Sequence, residues 1–144
     1  MTWSRNWSQD VTALIARVGI GMVWMVHGWP KIQNPSEVAA EFVHMGVYFP
    51  TVSAWYASIV EFVVAIALII GIGLPIAGIL LFLDAVGVIY FTVGIGGLLH
   101  FEGDSQLVFV LAMGSLIAGF HGGRFAVDRL RILQPGSRQV TSPV

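Results

Sequence analysis

Residues 52–93 read VSAWYASIVEFVVAIALIIGIGLPIAGILLFLDAVGVIYFTV, and Glu61 and Asp84 are the only Asp, Glu, Lys or Arg among them. A helix needs about 20 mainly apolar residues to cross the hydrocarbon of a bilayer. Two such segments fit here, Val52 to Ile72 and Leu74 to Val93. Gly71 to Pro75 reads as a tight hairpin turn between them, with Pro75 in the first turn of the following helix, where its missing N–H costs nothing. Each segment carries one acid in its interior. A charge in hydrocarbon is costly unless it is paired or wetted, so each acid is a candidate functional residue.

Reading outward, a further span runs from Val11 to Trp29, with Arg17 inside it and His27 near its end. Leu107 to Phe120 is short for a crossing and becomes long enough if the helix is N-capped near Asp104 and runs on to Gly122-Gly123. Of the 144 residues 56% are hydrophobic and 10% charged, against roughly 25% charged in an ordinary soluble domain. With a mean hydropathy of +0.82, this is an integral membrane chain whose first partner is the lipid bilayer. The expected fold is all-α, a four-transmembrane-helix bundle forming one domain over 1–133, followed by a disordered cytoplasmic tail over 134–144 rich in Pro, Ser, Gly and Thr. A formal charge of −1 argues against nucleic acid, which needs a basic surface. The absence of cysteine excludes a disulfide framework, a thiol relay and a Cys-ligated metal cluster.

The long connection between the first two spans has a pattern of its own. Asn34-Pro35-Ser36-Glu37 reads as an N-cap, a first-turn proline and a third-position Glu, after which Val38, Phe42 and Met45 recur at helical spacing. It predicts a short amphipathic interfacial helix. Arg5, Arg124, Arg129, Arg131 and Arg138 flank the spans at the chain ends, while Glu37, Glu41, Glu102 and Asp104 occupy the other two connections. The positive-inside rule then makes both termini cytoplasmic. Arg17 interrupts the first apolar run and no small-residue cleavage site follows Trp29, so that segment reads as retained. Trp24, Trp29, Trp55, Tyr48 and Tyr56 fall where outer-interface aromatics are expected.

Counting about 1.5 Å per residue puts Arg17 roughly 9 Å above the cytoplasmic end of its span, Asp84 roughly 13 Å up the third and Glu61 roughly 13 Å below the outer end of the second. A long, forked arginine suits a carboxylate in such a band, so Arg17 is expected to pair with Glu61, Asp84 or both. Such a pair either fixes helix packing or, with two carboxylates to one cation, serves proton-coupled chemistry or a polar ligand. A second group gathers at the outer face: His27, Trp29 and Lys31, with His44, His100 and Glu102. Histidines there commonly serve as interfacial polar residues. The sharper reading is a quinone headgroup site, in which His and Lys donate to a carbonyl and a nearby Glu manages protons. Haem is not expected, because His121 lies at the opposite face from the other three histidines, and no metal is expected either. Gly19, Gly21, Gly78, Gly87, Gly114 and Gly119 read as close-packing positions. Gly94-Ile95-Gly96-Gly97 follows no strand and reads as a turn.

Arg17 with Gly19, then His27-Gly28 followed by Lys31, Glu61 with Gly71 after it, and Gly122-Gly123-Arg124 with Asp128 together resemble the DoxX family of small four-helix membrane proteins. The resemblance implies a bacterial cell membrane, protein partners in a membrane redox complex, and an oxidoreductase system. Some relatives are described as a subunit of a thiosulfate:quinone oxidoreductase, and others as the membrane anchor of an oxidative-stress complex. It carries over Arg17, His27, Lys31, Glu61 and Arg124 without making any of them catalytic. Asp84 departs from the pattern. The candidate ligand-binding set is therefore Arg17, His27, Lys31, Glu61, Asp84 and Glu102, with quinone as the candidate cofactor and a homo-oligomer as a further expected partner state. Two other readings stand beside it: a non-catalytic anchor or assembly factor, and a small-solute or lipid-handling protein.

Overall fold

The computed structural model describes residues 7–92, 94, 105–121 and 126–127, and all its regular elements there are helical. In order they are α1 (Trp7–Gln33), α2 (Pro35–His44), α3 (Pro50–Ile59), a π-helical segment (Val60–Val64), α4 (Ala65–Ile70), α5 (Leu74–Thr92) and α6 (Ser105–Phe120). Three rods are long and apolar enough to cross a membrane: α1, the continuous Pro50–Ile70 rod and α5. With 16 residues, α6 rises only about 24 Å, short of the roughly 30 Å hydrocarbon core. The Asp104 cap, the Gly122-Gly123 stop, the turn over 95–97 and the tail from Gln134 lie outside the described residues.

The hairpin forms as its sequence demands. Gly71 ends α4 with φ 88°, a left-handed conformation that glycine adopts without a Cβ penalty. The Ile72 N–H then closes back on the Ala67 carbonyl at 3.0 Å, while Gly73 takes φ 58° and its carbonyl accepts from Ala77 N–H. α2 forms where its pattern placed it, with Pro35 in the first turn and Val38 buried while Glu37, Glu41 and His44 are exposed. Its Asn34 side chain makes no capping bond. The Asn34 backbone carbonyl accepts from Val38 N–H instead.

The inside of the molecule is built of small and medium residues, among them Ala65, Leu68, Leu81, Ala85 and Ala112. Large apolar side chains such as Ile15, Met22, Val63, Ile76, Val86 and Val110 point outward. That arrangement suits a hydrocarbon surround, where an exposed apolar side chain carries no penalty. One aromatic departs from expectation. Trp24, expected in an interfacial belt, is 3% exposed, and its indole N–H donates to Ser115 Oγ at 2.9 Å. Four residues short of the α1 level where Gly28 packs on Glu61, it faces the core, and a buried indole needs an acceptor. Trp29, Trp55, Tyr48 and Tyr56 are all exposed.

Candidate functional site

α1 runs antiparallel to the Pro50–Ile70 rod, and the contacts of its glycines fix the register. A Cβ on Gly28 would lie 2.8 Å from both the Glu61 carbonyl carbon and the Phe62 nitrogen, so the two backbones touch there. Two helical turns lower, Gly21 faces Ala65 and Ile69. The Trp29 ring packs against Phe62 at a tilt of 42°, with ring centroids 5.3 Å apart. Gly28 and Lys31 are three residues apart and share one helix face. The close approach at Gly28 therefore brings the lysine within reach of the acid: Lys31 Nζ donates to Glu61 Oε1 in an ion pair. The His-Gly-x-x-Lys element thus has a mechanical meaning, glycine for contact and lysine for charge.

Glu61 is 1% exposed and sits in the π-helical segment, a widened turn of the kind that recurs at functional sites. Because the Gly71–Gly73 turn folds α5 back along α4, Asp84 arrives at the level of Glu61. It is 5% exposed, and its carboxyl lies beside Glu61 and Lys31. Among the described residues, Glu61 Oε2 and Asp84 Oδ2 are buried with no hydrogen-bond partner.

Two cavities flank this group. One of about 340 Å³ lies beneath α2, between α3 and α5, with Lys31, Tyr56 and Asp84 among apolar walls from Val38, Phe42 and Phe91. The other, about 470 Å³, lies between α1, α5 and α6, with His27, Lys31 and Glu61 beside Trp24, Val108 and Leu111. Lys31 borders both, Asp84 only the first and Glu61 only the second. His27 Nδ1 donates to the Val23 carbonyl at 2.8 Å, since a carbonyl can only accept, which leaves Nε2 for a ligand.

Arg17 does not join this group. Its guanidinium Nη1 lies 3.0 Å from where a Cβ on Gly71 would sit, and Gly71 is about 15 Å of helix beyond Glu61. The antiparallel register is the cause, because packing Gly28 on Glu61 sets Arg17 level with the hairpin turn. Lys31, read from the sequence as an end-of-span headgroup residue, supplies the cation expected from Arg17. Arg17 and the equally buried Asp10 both engage partners near that opposite end. The sequence reading passed over Asp10, although it lies seven residues, two turns, before Arg17 on one helix face. His44 is exposed on α2 and His121 follows α6 at the other end, whereas His100, Glu102, Arg124 and Asp128 lie outside the described residues. The sequence reading also missed the π segment and the lining residues Thr92 and Ser105.

Against known families, the DoxX model matches residues 12–100. The chain belongs to the DoxX family. The matched stretch contains Arg17, Gly28, Lys31, Glu61, Gly71 and Asp84, so the whole Lys31–Glu61 arrangement falls inside the DoxX region while the closing Gly-Gly-Arg motif falls beyond it. No curated protein and no solved structure matches the chain. As a DoxX-family membrane protein, it meets lipid along the outward apolar faces of its long helices.

Proposed function

We propose that this DoxX-family protein is the membrane subunit of an oxidoreductase system and offers a quinone headgroup a polar site within the bilayer. The observation that carries the reading is the Lys31–Glu61 ion pair opening, with His27, onto a mainly apolar cavity of about 470 Å³. A cavity of that size, apolar with a few convergent polar groups, suits one small ring system. The donor set fits a quinone. Lys31 offers N–H donors to a carbonyl oxygen, His27, whose Nδ1–H is bonded to the Val23 carbonyl, presents Nε2 as an acceptor to a hydroxyl of the reduced ring, and Glu61 stands ready to take or release a proton. When bound, a quinone carries electrons and protons between a partner protein and the membrane pool. The chain's own residues bind and orient: Trp24, Val108 and Leu111 wall off water, Lys31 fixes one edge of the ring, and Glu61 holds the lysine in place. Any sulfur chemistry takes place on a partner or on a free substrate, because the chain has no cysteine.

In this reading α6 completes a fourth crossing, α2 lies on the outer interface, and both termini are cytoplasmic. Cysteines introduced at Ser36 and Ser137 are then labelled from opposite sides by an impermeant thiol reagent, and labelling of both from one side rejects that topology. The binding site is tested by thermal stabilisation of the purified protein with a soluble quinone analogue. Stabilisation in the wild type that disappears in His27→Leu supports the site. A protein that is not stabilised at any soluble concentration and carries no quinone from the membrane is instead an anchor, its Lys31–Glu61 pair serving only to seat α1 on the π segment.

A further inference from the structure

The quinone reading uses Lys31, Glu61 and His27 and leaves Asp84 without a task, although Asp84 is buried, faces Glu61 and borders the other cavity. We propose that Asp84 is the proton reservoir of this site, held as a carboxylic acid, passing its proton to Glu61 and refilled through the cavity beneath α2. The proposal rests on the function proposed above for its purpose, and its protonation half holds whether or not a quinone binds.

Charge balance is the first support. The Lys31 ammonium and the Glu61 carboxylate form a neutral ion pair, so a third buried group beside them is affordable only when neutral. Hydrogen bonding is the second. Glu61 Oε2 and Asp84 Oδ2 are both buried acceptors with no donor among the described residues. Two carboxylates cannot bond to each other, whereas a carboxylic acid donates to a carboxylate. One proton on Asp84 turns the facing pair from two orphaned acceptors into a donor and an acceptor. The groups that face Asp84 fit this state. Lys31 comes from α1, Glu61 from the π segment, Tyr56 from α3, and Glu41 of α2 borders the same cavity; α6 carries no Asp, Glu, Lys, Arg or His over residues 105–120.

The division of the two cavities is the third support, because Asp84 borders one and Glu61 the other. In the transfer the O–H bond at Asp84 breaks and an O–H bond forms at Glu61, whose pairing with Lys31 relaxes and frees the lysine toward the ligand cavity. Glu61 then gives its proton to an oxygen of the ring reduced by the partner protein, and a proton from bulk solvent, relayed by water entering past Glu41, re-forms the O–H bond at Asp84. No electrons move in these proton transfers.

Infrared difference spectroscopy of the full chain in nanodiscs at neutral pH tests the protonation. A protonated carboxylic acid gives a C=O stretch distinct from the carboxylate bands, and it shifts down in D2O. We expect this band in the wild type, its loss in Asp84→Asn and its retention in Glu41→Gln. A wild type without the band, or a band that survives in Asp84→Asn, overturns the proposal. The route is tested separately with Gly87→Val, since Gly87 borders the cavity beneath α2 and a Cβ there meets open space. Filling the cavity should slow deuterium exchange of the Asp84 band at least tenfold, and unchanged exchange overturns the proposed route. An Asp84 band in a protein that no quinone analogue stabilises leaves this assignment standing and rejects the quinone. Stabilisation without the band does the reverse.

Discussion

The contact between α5 and α6 and the contact between α1 and the π segment are both made at glycines, and what they enclose differs completely. On the first, a Cβ at Gly78 would lie 2.6 Å from the Ser115 carbonyl oxygen, and one at Gly119 would lie 2.7 Å from that of Leu74. The space between holds Leu81, Ala112 and Ala118, with the Ser115 hydroxyl bonded at 2.7 Å to the Leu111 carbonyl. On the second, the approach at Gly28 delivers an ion pair, leaves buried carboxyl oxygens without partners and opens onto cavities on both sides. Glycine at a helix contact therefore does two jobs. Where nothing charged is near, it closes a seam; beside a lysine, it sets the distance between charges.

The largest effect should come from breaking the charged contact. Lys31→Met leaves Glu61 buried and unpaired, and unfolding in detergent should show a loss of about 3–5 kcal/mol, whereas Lys31→Met with Glu61→Leu should restore more than half of it. A single mutant within about 0.5 kcal/mol of wild type, the range of an ordinary surface substitution, would show that the pair holds nothing together and dissolve the contrast.

Next come the matched steric changes. Gly78→Ala and Gly28→Ala each force a methyl against backbone that cannot yield, and each should lower stability by about 1–3 kcal/mol. The contrast is sharpened by a second reading of the same two proteins: Gly78→Ala should keep the response to a quinone analogue, and Gly28→Ala should lose it because Lys31 moves off Glu61. Equal retention in both would make the second contact a plain seam. A smaller effect is expected at Trp24→Phe, which removes the bond to Ser115 and should cost about 1 kcal/mol. Smallest is His27→Leu, an exposed side chain whose loss should change stability by no more than about 0.5 kcal/mol while abolishing the analogue's effect.

Much of this was legible in order of residues alone. Apolar runs of membrane length located the three long rods, and Gly71 with Pro75 located the hairpin, because turn chemistry and hydrophobic length are local properties. The Asn34–Glu37 signature located α2 for the same reason. Depth counting put Glu61 and Asp84 in one band, which the hairpin geometry preserves. The cation was misassigned because pairing across helices depends on register, which is set by where backbones touch and not by distance from a membrane surface. Gly28 was the clue. Its three-residue spacing to Lys31 held the answer, and no charge count could rank it above Arg17. Trp24 was misplaced on similar grounds, since an indole at a span's outer half looks the same whether it faces lipid or a serine on α6. The π segment leaves no signal in Val60-Glu61-Phe62-Val63-Val64 that would set it apart from ordinary helix.

The reversal of side-chain size between inside and outside has a consequence for how this chain can change over generations. Facing lipid, Ile15, Met22, Val63, Ile76 and Val110 answer only to polarity, so substitutions among apolar residues there should accumulate freely, whatever their shape. Facing one another, Gly28, Gly78, Ala112, Ser115 and Gly119 answer to volume, where even one added methyl is felt. Drift should therefore be fast in shape and narrow in hydropathy on the rim, and the converse along the seams.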